Sequence, residues 1–307
     1  MKARSFANSN FMKTVIRQRE LIFMTIPLII YVFIFSYLPL RGWIMAFQRF
    51  RPGLSEQPWV GFDNFTFMFT DPRFLQAVRN TLVMGLINLV LGFVTAIILA
   101  LLINEIRFGI FKRVVQTISY LPHFLSWVIA VSLIGDFLSG QGILNQVLMF
   151  FGFIDEPIIF LAQRNSFWHI VGWSNVWKSV GWNTIIYLAA ITAINPEEYE
   201  SAELDGAGRF AKMRHITLPG IKSTILVLLI MSVGWVLNVG FELPFLMMND
   251  LTRPVAETID IYVIRYGINI GNFSLATAAG MFRTVISIFL ITLANQLSKR
   301  LAKESLV

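Results

Sequence analysis

The stretch LIFMTIPLIIYVFIFSYLPL, residues 21–40, is apolar almost without interruption and decides the fold class. As an α-helix it would be about 30 Å long, which matches the hydrocarbon thickness of a bilayer. Arg41-Gly42-Trp43 follows it directly, without the small-residue cleavage site that ends a signal peptide. We therefore expect an uncleaved membrane span here, preceded by a cytoplasmic tail of residues 1–20.

The composition of the whole chain indicates a protein that crosses the membrane several times. Of its 307 residues, 56% are hydrophobic and only 14% are charged, against about 25% charged in an average soluble domain. Backbone groups inside a bilayer must be satisfied within the chain, which favours helices. We predict a single all-α membrane domain over residues 1–307 with six transmembrane helices, at about 21–40, 79–103, 114–138, 167–193, 223–247 and 276–297.

The distribution of lysine and arginine predicts the orientation, because positive residues collect on the cytoplasmic side. The N-terminal tail, loops 104–113 and 194–222 and the tail 298–307 together hold fifteen of them, and the alternate loops hold seven. Both termini are therefore predicted to be cytoplasmic. The net charge of +7 is explained by these flanking positions and by lipid head groups, so no nucleic-acid partner is expected.

The most informative segment outside the spans is INPEEYESAELDGAGRFAKMRHITLPGI, residues 194–221. Asn195 can cap a helix, Pro196 suits its first turn, and the acidic residues that follow complement the helix dipole. Gly206 predicts the end of that helix, and Pro219 marks the entry to the fifth span. These signals predict a short amphipathic helix on the cytoplasmic face, which is also typical of an ordinary interfacial connector.

The spacing within this segment carries a family resemblance. Glu200-Ser201-Ala202 is followed after three residues by Gly206 and, after nine more, by Ile216-x-Leu218-Pro219. This arrangement resembles the EAA loop of the permease subunits of binding-protein-dependent ABC importers. Ser201 stands where the motif has alanine, and both residues are small. The resemblance identifies residues 194–222 as the coupling loop.

Similarity to the family extends over nearly the whole chain. Residues 34–47, 59–82, 102–128 and 269–295 look like the subgroup of sugar permeases related to LplB, described as permeases for the import of polysaccharides or oligosaccharides. The subgroup implies a type I ABC importer transmembrane domain in the bacterial cytoplasmic membrane. It also implies several partners: a second homologous permease in a heterodimer, two copies of a cytoplasmic ABC ATPase, an extracytoplasmic solute-binding protein and an oligosaccharide substrate.

The chain itself is not expected to be an enzyme. No G-x-x-x-x-G-K-[ST] phosphate loop occurs in it, so ATP and Mg²⁺ are expected on the partner ATPase. It has no cysteine and no histidine cluster with ligand spacing, so no metal or bound cofactor is expected. By resemblance, the helix at residues 197–204 sits in a cleft of the ATPase, where Glu200 would pair with a basic group. The docking residues implied are Glu197, Tyr199, Glu200, Ser201, Ala202, Leu204, Asp205 and Gly206.

Several polar residues fall within the predicted spans, where they usually face a cavity or a partner helix. Trp235, Asn238 and Glu242 are spaced as i, i+3 and i+7, which would place them on one face of the fifth helix. Lys178 and Trp182 are four residues apart in the fourth helix. Indole rings pack on the C–H faces of sugars, while amides and charges bond their hydroxyls. The substrate-path candidates are Asn175, Lys178, Trp182, Trp235, Asn238, Glu242 and Arg283.

Other readings of these residues stay open at the level of sequence. Glu242 could pair with Arg283 or Lys178 as a structural ion pair, whereas free cations at Lys178 and Arg283 would favour an acidic sugar. The alternatives for the whole chain are an ABC permease for a non-sugar solute or a membrane-embedded enzyme. An enzyme would call for titratable pairs near one interface, and the sequence offers isolated charges instead. A secondary transporter would normally show internal repeats, and none is evident.

Overall fold

The computed structural model describes residues 17–302, and most of these are helical. The outer parts of the predicted tails, residues 1–16 and 303–307, lie outside the described residues. Within residues 17–302, β pairing is limited to one isolated bridge between Gln48 and Trp59. The prediction of an all-α chain is therefore confirmed over the described residues.

The helices follow one another with mostly short connections. In the first half they are α1 (Arg19–Val32), α2 (Asp63–Thr70), α3 (Pro72–Asn104), α4 (Gly109–Tyr120), α5 (Trp127–Leu138) and α6 (Ile143–Phe150). In the second half they are α7 (Arg164–Thr192), α8 (Pro196–Leu204), α9 (Arg209–Lys212), α10 (Lys222–Gly234), α11 (Glu242–Met247), α12 (Arg253–Ala256), α13 (Ile259–Tyr262) and α14 (Phe273–Ala302). Short 3₁₀ or π-helical stretches extend α1, α4, α9 and α13.

Four helical segments within residues 17–302 are long and apolar enough to cross a membrane: Arg19–Phe47, Pro72–Asn104, Trp127–Phe150 and Phe273–Gln296. A bent pair, Arg209–Gly220 with Lys222–Gly234, makes a fifth candidate and has an angle of 61° between its helices. α7 is long enough, with 29 residues, but its polar side chains keep it out of this set. Composition alone thus supports four or five spans, against six predicted.

The predicted third span, residues 114–138, is interrupted. After α4 a 3₁₀ turn covers Leu121–Phe124, and α5 begins only after that turn. Pro122 explains the break, because proline lacks the N–H that continues a helical ladder and its ring clashes with the preceding turn. Ser126 then caps α5 by accepting a hydrogen bond from the Ile129 N–H at 3.3 Å. The single third helix of the prediction is therefore wrong.

The predicted fifth span, residues 223–247, is also interrupted. α10 ends at Gly234, and residues 235–241 are unwound before the short α11. Gly240 has a φ of +87°, a left-handed conformation that glycine adopts without strain. Within the unwound segment, Val236 and Leu237 are buried, whereas Trp235 and Asn238 are exposed.

The other predicted spans are continuous and extend further than expected. The first helical segment continues through Arg41-Gly42-Trp43 to Phe47. The second starts at Pro72, because the carboxylate of Asp71 caps α3 by accepting a hydrogen bond from the Arg73 N–H at 3.0 Å. The boundaries differ because interfacial polar residues can lie on a helix without ending it.

The central packing joins α3 to α7 along much of their lengths. The Thr184 hydroxyl of α7 donates to the Ala96 carbonyl of α3 at 3.2 Å. Gly172 brings the two helices close, since a Cβ there would lie 2.4 Å from Cγ2 of Ile87. α14 packs on the 3₁₀ stretch Leu38–Phe47. This packing positions the cavity between α3, α7 and α10 and the 194–222 loop.

Candidate functional site

The short helix of the 194–222 loop forms where the sequence predicts it. The Asn195 side chain caps α8 by accepting a hydrogen bond from the Glu197 N–H at 3.1 Å. At the other end, the N–H groups of Gly206 and Ala207 donate to the carbonyls of Glu203 and Ala202, respectively. With φ of +78° at Gly206, this is the Schellman arrangement that ends a helix. A Cβ at Gly206 would meet nothing within 4 Å, so its conformation, rather than close packing inside this chain, requires glycine.

The predicted docking residues are placed on two sides of α8. Tyr199 is half-buried, and its hydroxyl lies 2.9 Å from the Thr217 hydroxyl in the same loop. Ala202 is also half-buried. The side chain of Leu204 is 90% exposed, which is costly unless a partner covers it. The residues of the docking set that face outward are Glu197, Glu200, Ser201, Leu204, Asp205 and Gly206.

Sequence reasoning missed Phe210, which is 74% exposed just after this helix. A phenylalanine this exposed on a polar loop is accessible to a partner. The signal was available in the sequence, because Phe210 is an isolated large apolar residue among Gly208-Arg209 and Ala211-Lys212. Together with Leu204 it gives the loop an apolar contact surface as well as acidic groups.

A cavity of about 360 Å³ lies where α3, α7, α10 and the unwound segment meet. Its size is at the lower end of the range for small-molecule sites, about 300–1,000 Å³. Its polar lining consists of amide, hydroxyl and indole groups, and no lysine or arginine of the described chain lines it. The polar lining residues are Asn88, Asn183, Tyr187, Ser232, Trp235 and Asn238.

The fifth-span candidates reach this cavity by a different geometry from the one predicted. Trp235 and Asn238 line it, but both lie in the unwound segment after Gly234 and not on one helical face. Glu242 is exposed at the start of α11, away from the cavity lining. The i, i+3, i+7 argument is therefore wrong, although it selected two residues that share the cavity.

In α7, the predicted candidates face two directions. Asn175 donates to the Asn88 side chain of the cavity at 3.2 Å. Lys178 is buried away from the cavity; its ammonium donates to the His123 carbonyl at 2.7 Å. Trp182 stacks on the His123 ring, with ring centroids 4.5 Å apart. Lys178 and Trp182 thus hold the Pro122 turn against α7.

The remaining charged candidate, Arg283, pairs with Asp260 of α13. Glu242 pairs with neither Arg283 nor Lys178 among the described contacts, so the structural ion pair that the sequence left open for Glu242 is not formed there. Sequence reasoning missed Asp260 as the partner because it precedes Arg283 by 23 residues and belongs to another helix.

The polar cavity-lining residues that the sequence did not indicate are Asn88, Asn183, Tyr187 and Ser232. One signal could have found the first of them. Gly85, Asn88 and Gly92 are spaced as i, i+3 and i+7 on α3, which places small and polar groups on one helical face. All three line the cavity.

A second, larger groove of about 650 Å³ lies on the other side of α7, between it and α5 and α6. Aliphatic and aromatic side chains such as Phe137, Trp173 and Trp177 make up most of its lining. It offers few partners for the hydroxyls of a polar solute. The smaller cavity is therefore the better candidate for a solute path.

Comparison with known proteins places these features in a family. Residues 88–303 match the model of the family described as binding-protein-dependent transport system inner membrane component. The polygalacturonan/rhamnogalacturonan transport system permease protein YteP of Bacillus subtilis (strain 168) is 45% identical over 294 residues, 95% of this chain and 91% of that protein. Protein LplB of the same organism is 42% identical over 300 residues, 97% of this chain and 94% of that protein.

A solved structure is similar over nearly its full length. It is the crystal structure of a bacterial ABC transporter involved in the import of the acidic polysaccharide alginate. One of its chains is 40% identical, with a TM-score of 0.87 over 95% of this chain and 99% of that chain. The resemblance to the LplB-related permeases and the type I ABC importer fold are thereby confirmed. The chain belongs to the family of binding-protein-dependent transport system inner membrane components.

Proposed function

We propose that this chain is the pore-forming permease subunit of an ATP-driven importer that carries an oligosaccharide across the bacterial cytoplasmic membrane. The observation that carries this proposal is the cavity beside the unwound segment 235–241, whose lining is largely apolar but includes the side chains of Asn88, Asn183 and Asn238 and no lysine or arginine of the described chain. Asparagine side chains both donate and accept hydrogen bonds, as sugar hydroxyls require. The Trp235 indole can pack on a sugar face. Membership of the family and the similarity to YteP and to the alginate importer support the same conclusion.

The substrate is an oligosaccharide derived from an acidic polysaccharide. The support for acidity comes from the substrates named for YteP and for the alginate importer. The cations of this chain that sequence reasoning assigned to an acidic sugar are engaged elsewhere, with the His123 carbonyl and with Asp260. Selection of the acid therefore falls to the binding protein and to the second permease, while this cavity contacts hydroxyls.

We propose that residues 1–307 form one domain with six spans. α7, the fourth along the chain, completes the six, because it packs along α3. Both termini and the 194–222 loop are cytoplasmic, as the lysine and arginine distribution predicts.

The proposed assembly contains this chain, a second homologous permease, two ATPase subunits and an extracytoplasmic solute-binding protein. ATP and Mg²⁺ bind to the ATPase, and the outward residues of α8 dock there, with Glu200 paired to a basic group. Replacing Glu200 by Gln is expected to weaken ATPase binding and coupled transport together. Glu198→Gln is the matched control, because Glu198 is exposed on the same helix and lies outside the docking set. Equal behaviour of the two variants would count against docking through Glu200.

The substrate proposal is tested with the reconstituted complex and its binding protein. ATP hydrolysis is measured with uronic-acid oligosaccharides and with neutral oligosaccharides of equal length. The acidic series is expected to stimulate hydrolysis more strongly. Equal stimulation would contradict the acidic class, and stimulation by neither series would contradict the saccharide class.

A further inference from the structure

The cytoplasmic segment 194–220 folds back on itself as two helical arms. The first arm is α8, and the second is the continuous helix Arg209–Gly220, which contains α9. Two side-chain contacts join the arms, and a close approach of the Ile194 side chain, just before α8, to the Gly220 backbone adds a third contact. The residue numbers rise on one arm as they fall on the other. The contacts pair Ile194 with Gly220, Tyr199 with Thr217 and Glu203 with Lys212. The two arms are therefore an antiparallel hairpin, here called the coupling hairpin.

Each of the three contacts is close. A Cβ on Gly220 would lie 2.7 Å from Cδ1 of Ile194, so the arms approach tightly at that end. The Tyr199 and Thr217 hydroxyls are 2.9 Å apart, and Thr217 is only 1% exposed. Loss of a hydrogen bond at such a buried group is costly.

The third contact is ionic. The Lys212 ammonium donates to the Glu203 carboxylate at 2.7 Å. This hydrogen bond, with the charge of Lys212, holds the pKa of Glu203 below its ordinary value. The contact lies on the exposed side of the hairpin, so it adds less to the rigidity of the hairpin than the buried Tyr199–Thr217 contact.

A π-helical turn in the second arm aligns its contact residues. Tyr199 and Glu203 are four residues apart on α8 and share a face. Lys212 and Thr217 are five residues apart, which in an α-helix would place them on different faces. The π-helical turn Met213–Thr217 has hydrogen bonds between residues five apart. The wider turn brings Lys212 and Thr217 towards the same side, facing α8.

The coupling hairpin ends at a fixed point. The chain bends by 61° between Arg209–Gly220 and Lys222–Gly234. Ile221, at the bend, is fully buried in an apolar cluster with Ala96, Ala100 and Ile191. The bend is thus anchored to α3 and α7, and Ile194, Met213 and Leu218 of the hairpin pack against the same cluster, whereas most of α8 is exposed.

We propose that residues 194–220 move as one rigid hairpin that pivots at Ile221, and that Tyr199 and Thr217 are positioning residues that make α8 and the second arm a single lever. The proposal rests on the proposed function, because the lever needs a docked ATPase to move it. It gives Tyr199 a role within this chain instead of the docking role that the family resemblance implies. Without the Tyr199–Thr217 contact, motion of α8 would be lost in bending of the hairpin.

The first experiment locks the coupling hairpin with a disulfide between Ile194→Cys and Gly220→Cys. A Cβ at residue 220 lies 3.0 and 3.8 Å from the two γ carbons of Ile194. The two Cβ atoms are therefore about 4 Å apart, within the range that disulfides require, about 3.5–4.5 Å. The chain has no cysteine of its own, so this pair is the permease's only disulfide.

Transport by the complete reconstituted complex is measured before and after oxidation, with the single Ile194→Cys variant as control. Retention of transport in the oxidised form, within about twofold of the reduced form, supports a rigid hairpin. Loss of transport on oxidation that a reductant restores would show that the arms must separate, and would overturn the proposal. Failure of the two thiols to pair would contradict the hairpin register and overturn it as well.

The second experiment removes the Tyr199–Thr217 contact from each side. Tyr199→Phe and Thr217→Val are each expected to lower transport per ATP hydrolysed by about threefold, with ATPase binding unchanged. The double variant should be no worse than either single one, because all three lose the same contact. Thr192→Val is the matched control, since its exposed hydroxyl bonds only within α7, to the Ala189 carbonyl at 2.7 Å.

The outcomes separate this proposal from the proposed function. If Tyr199→Phe weakens ATPase binding and Thr217→Val does not, Tyr199 is a docking residue and the lever role is overturned, while the importer function stands. Normal coupling in both single variants would also overturn the lever role. If the unmodified complex shows no solute-stimulated hydrolysis, the proposed function itself fails.

Discussion

Lys178 shows how a charged side chain is held between the helices of this chain. It lies near the middle of α7 and is buried, but its ammonium donates to the His123 carbonyl at 2.7 Å and lies 5.2 Å from the centre of the Trp127 ring. A hydrogen bond to a carbonyl and the negative face of an indole both stabilise a buried cation. Its contacts assign Lys178 to holding the break between α4 and α5.

Replacing Lys178 by methionine is therefore expected to destabilise the protein without changing substrate preference. The His123 carbonyl would lose its donor, at a cost of about 1–3 kcal/mol. Thermal unfolding in detergent measures the stability, and the order of oligosaccharides that stimulate ATP hydrolysis measures the preference. A changed order with unchanged stability would return Lys178 to the substrate path.

Asp71 connects α3 and α13 at the N-terminal end of α3. Its carboxylate accepts hydrogen bonds from Arg73 at 3.0 Å and from the Tyr262 hydroxyl at 2.9 Å. Burial acts to raise the pKa of Asp71, but the hydrogen bonds from Arg73 and Tyr262 together outweigh it and lower that pKa below its ordinary value of 3.8. The ionised carboxylate therefore stabilises the fold.

Asp71→Ala is expected to lower the free energy of unfolding by about 1–3 kcal/mol at neutral pH, because it removes a helix cap and a buried acceptor. A lowered pKa means that this stabilisation is present above the ordinary pKa and is lost as the pH falls through the folded-state value. The difference in unfolding temperature between the two proteins should thus stay constant down to about pH 5 and shrink only in stronger acid. A difference that already disappears near pH 6 would contradict this assignment.

At the scale of elements, the break in the fifth span depends on a close approach between α3 and the unwound segment. A Cβ on Gly85 would lie 1.9 Å from the Val236 carbonyl oxygen. The glycine thus lets the backbone of residues 235–241 lie against α3 and close one side of the cavity. A larger residue would force this backbone away.

Gly85→Ala is expected to reduce transport at least tenfold, because about 1.4 kcal/mol of displacement energy is enough for that change and the backbone clash is severe. Gly92→Ala is the matched control: Gly92 lines the same cavity from the same helix, and a Cβ there would meet nothing within 4 Å. Transport is measured in vesicles with the amount of assembled complex held equal. Equal transport by the two variants would argue against a role for the close approach.

The elements differ in how far local sequence determines them. The ends of α8 were predictable, because Asn195 and Gly206 act within one turn of the helix they bound. The break after Gly234 was not, because Gly85 makes room for it from a helix about 150 residues away in sequence. The hydrogen bond from Lys178 to the His123 carbonyl could not be predicted either, because every residue has a backbone carbonyl and the sequence does not mark which one accepts. Hydropathy located most of the spans, but it could not show which polar groups would meet.

For the molecule as a whole, the orientation in the membrane is the feature on which the proposed function depends. The docking surface must face the ATPase, and so the 194–222 loop must lie on the same side as both termini. The absence of cysteine from the chain makes this directly testable with single cysteines at exposed loop positions.

In intact cells, a membrane-impermeant maleimide is expected to label Ser55→Cys and Asp155→Cys but not Arg107→Cys or Glu198→Cys. The second pair should react only after permeabilisation, because six spans with cytoplasmic termini place the two pairs on opposite sides. All four side chains are exposed in the structure, so burial does not limit the reaction. Labelling of Glu198→Cys in intact cells would contradict the orientation and the docking proposal with it.

The polar character of α7 has a consequence for how the chain is made. Lys178 and the asparagines of α7 would oppose its entry into lipid as an isolated segment. Their partners, the His123 carbonyl and Asn88, belong to segments that leave the ribosome earlier. α7 is therefore expected to enter the membrane in contact with α3 and the α4–α5 pair, which are inserted before it. The order of synthesis thus provides the hydrogen-bond partners that α7 needs.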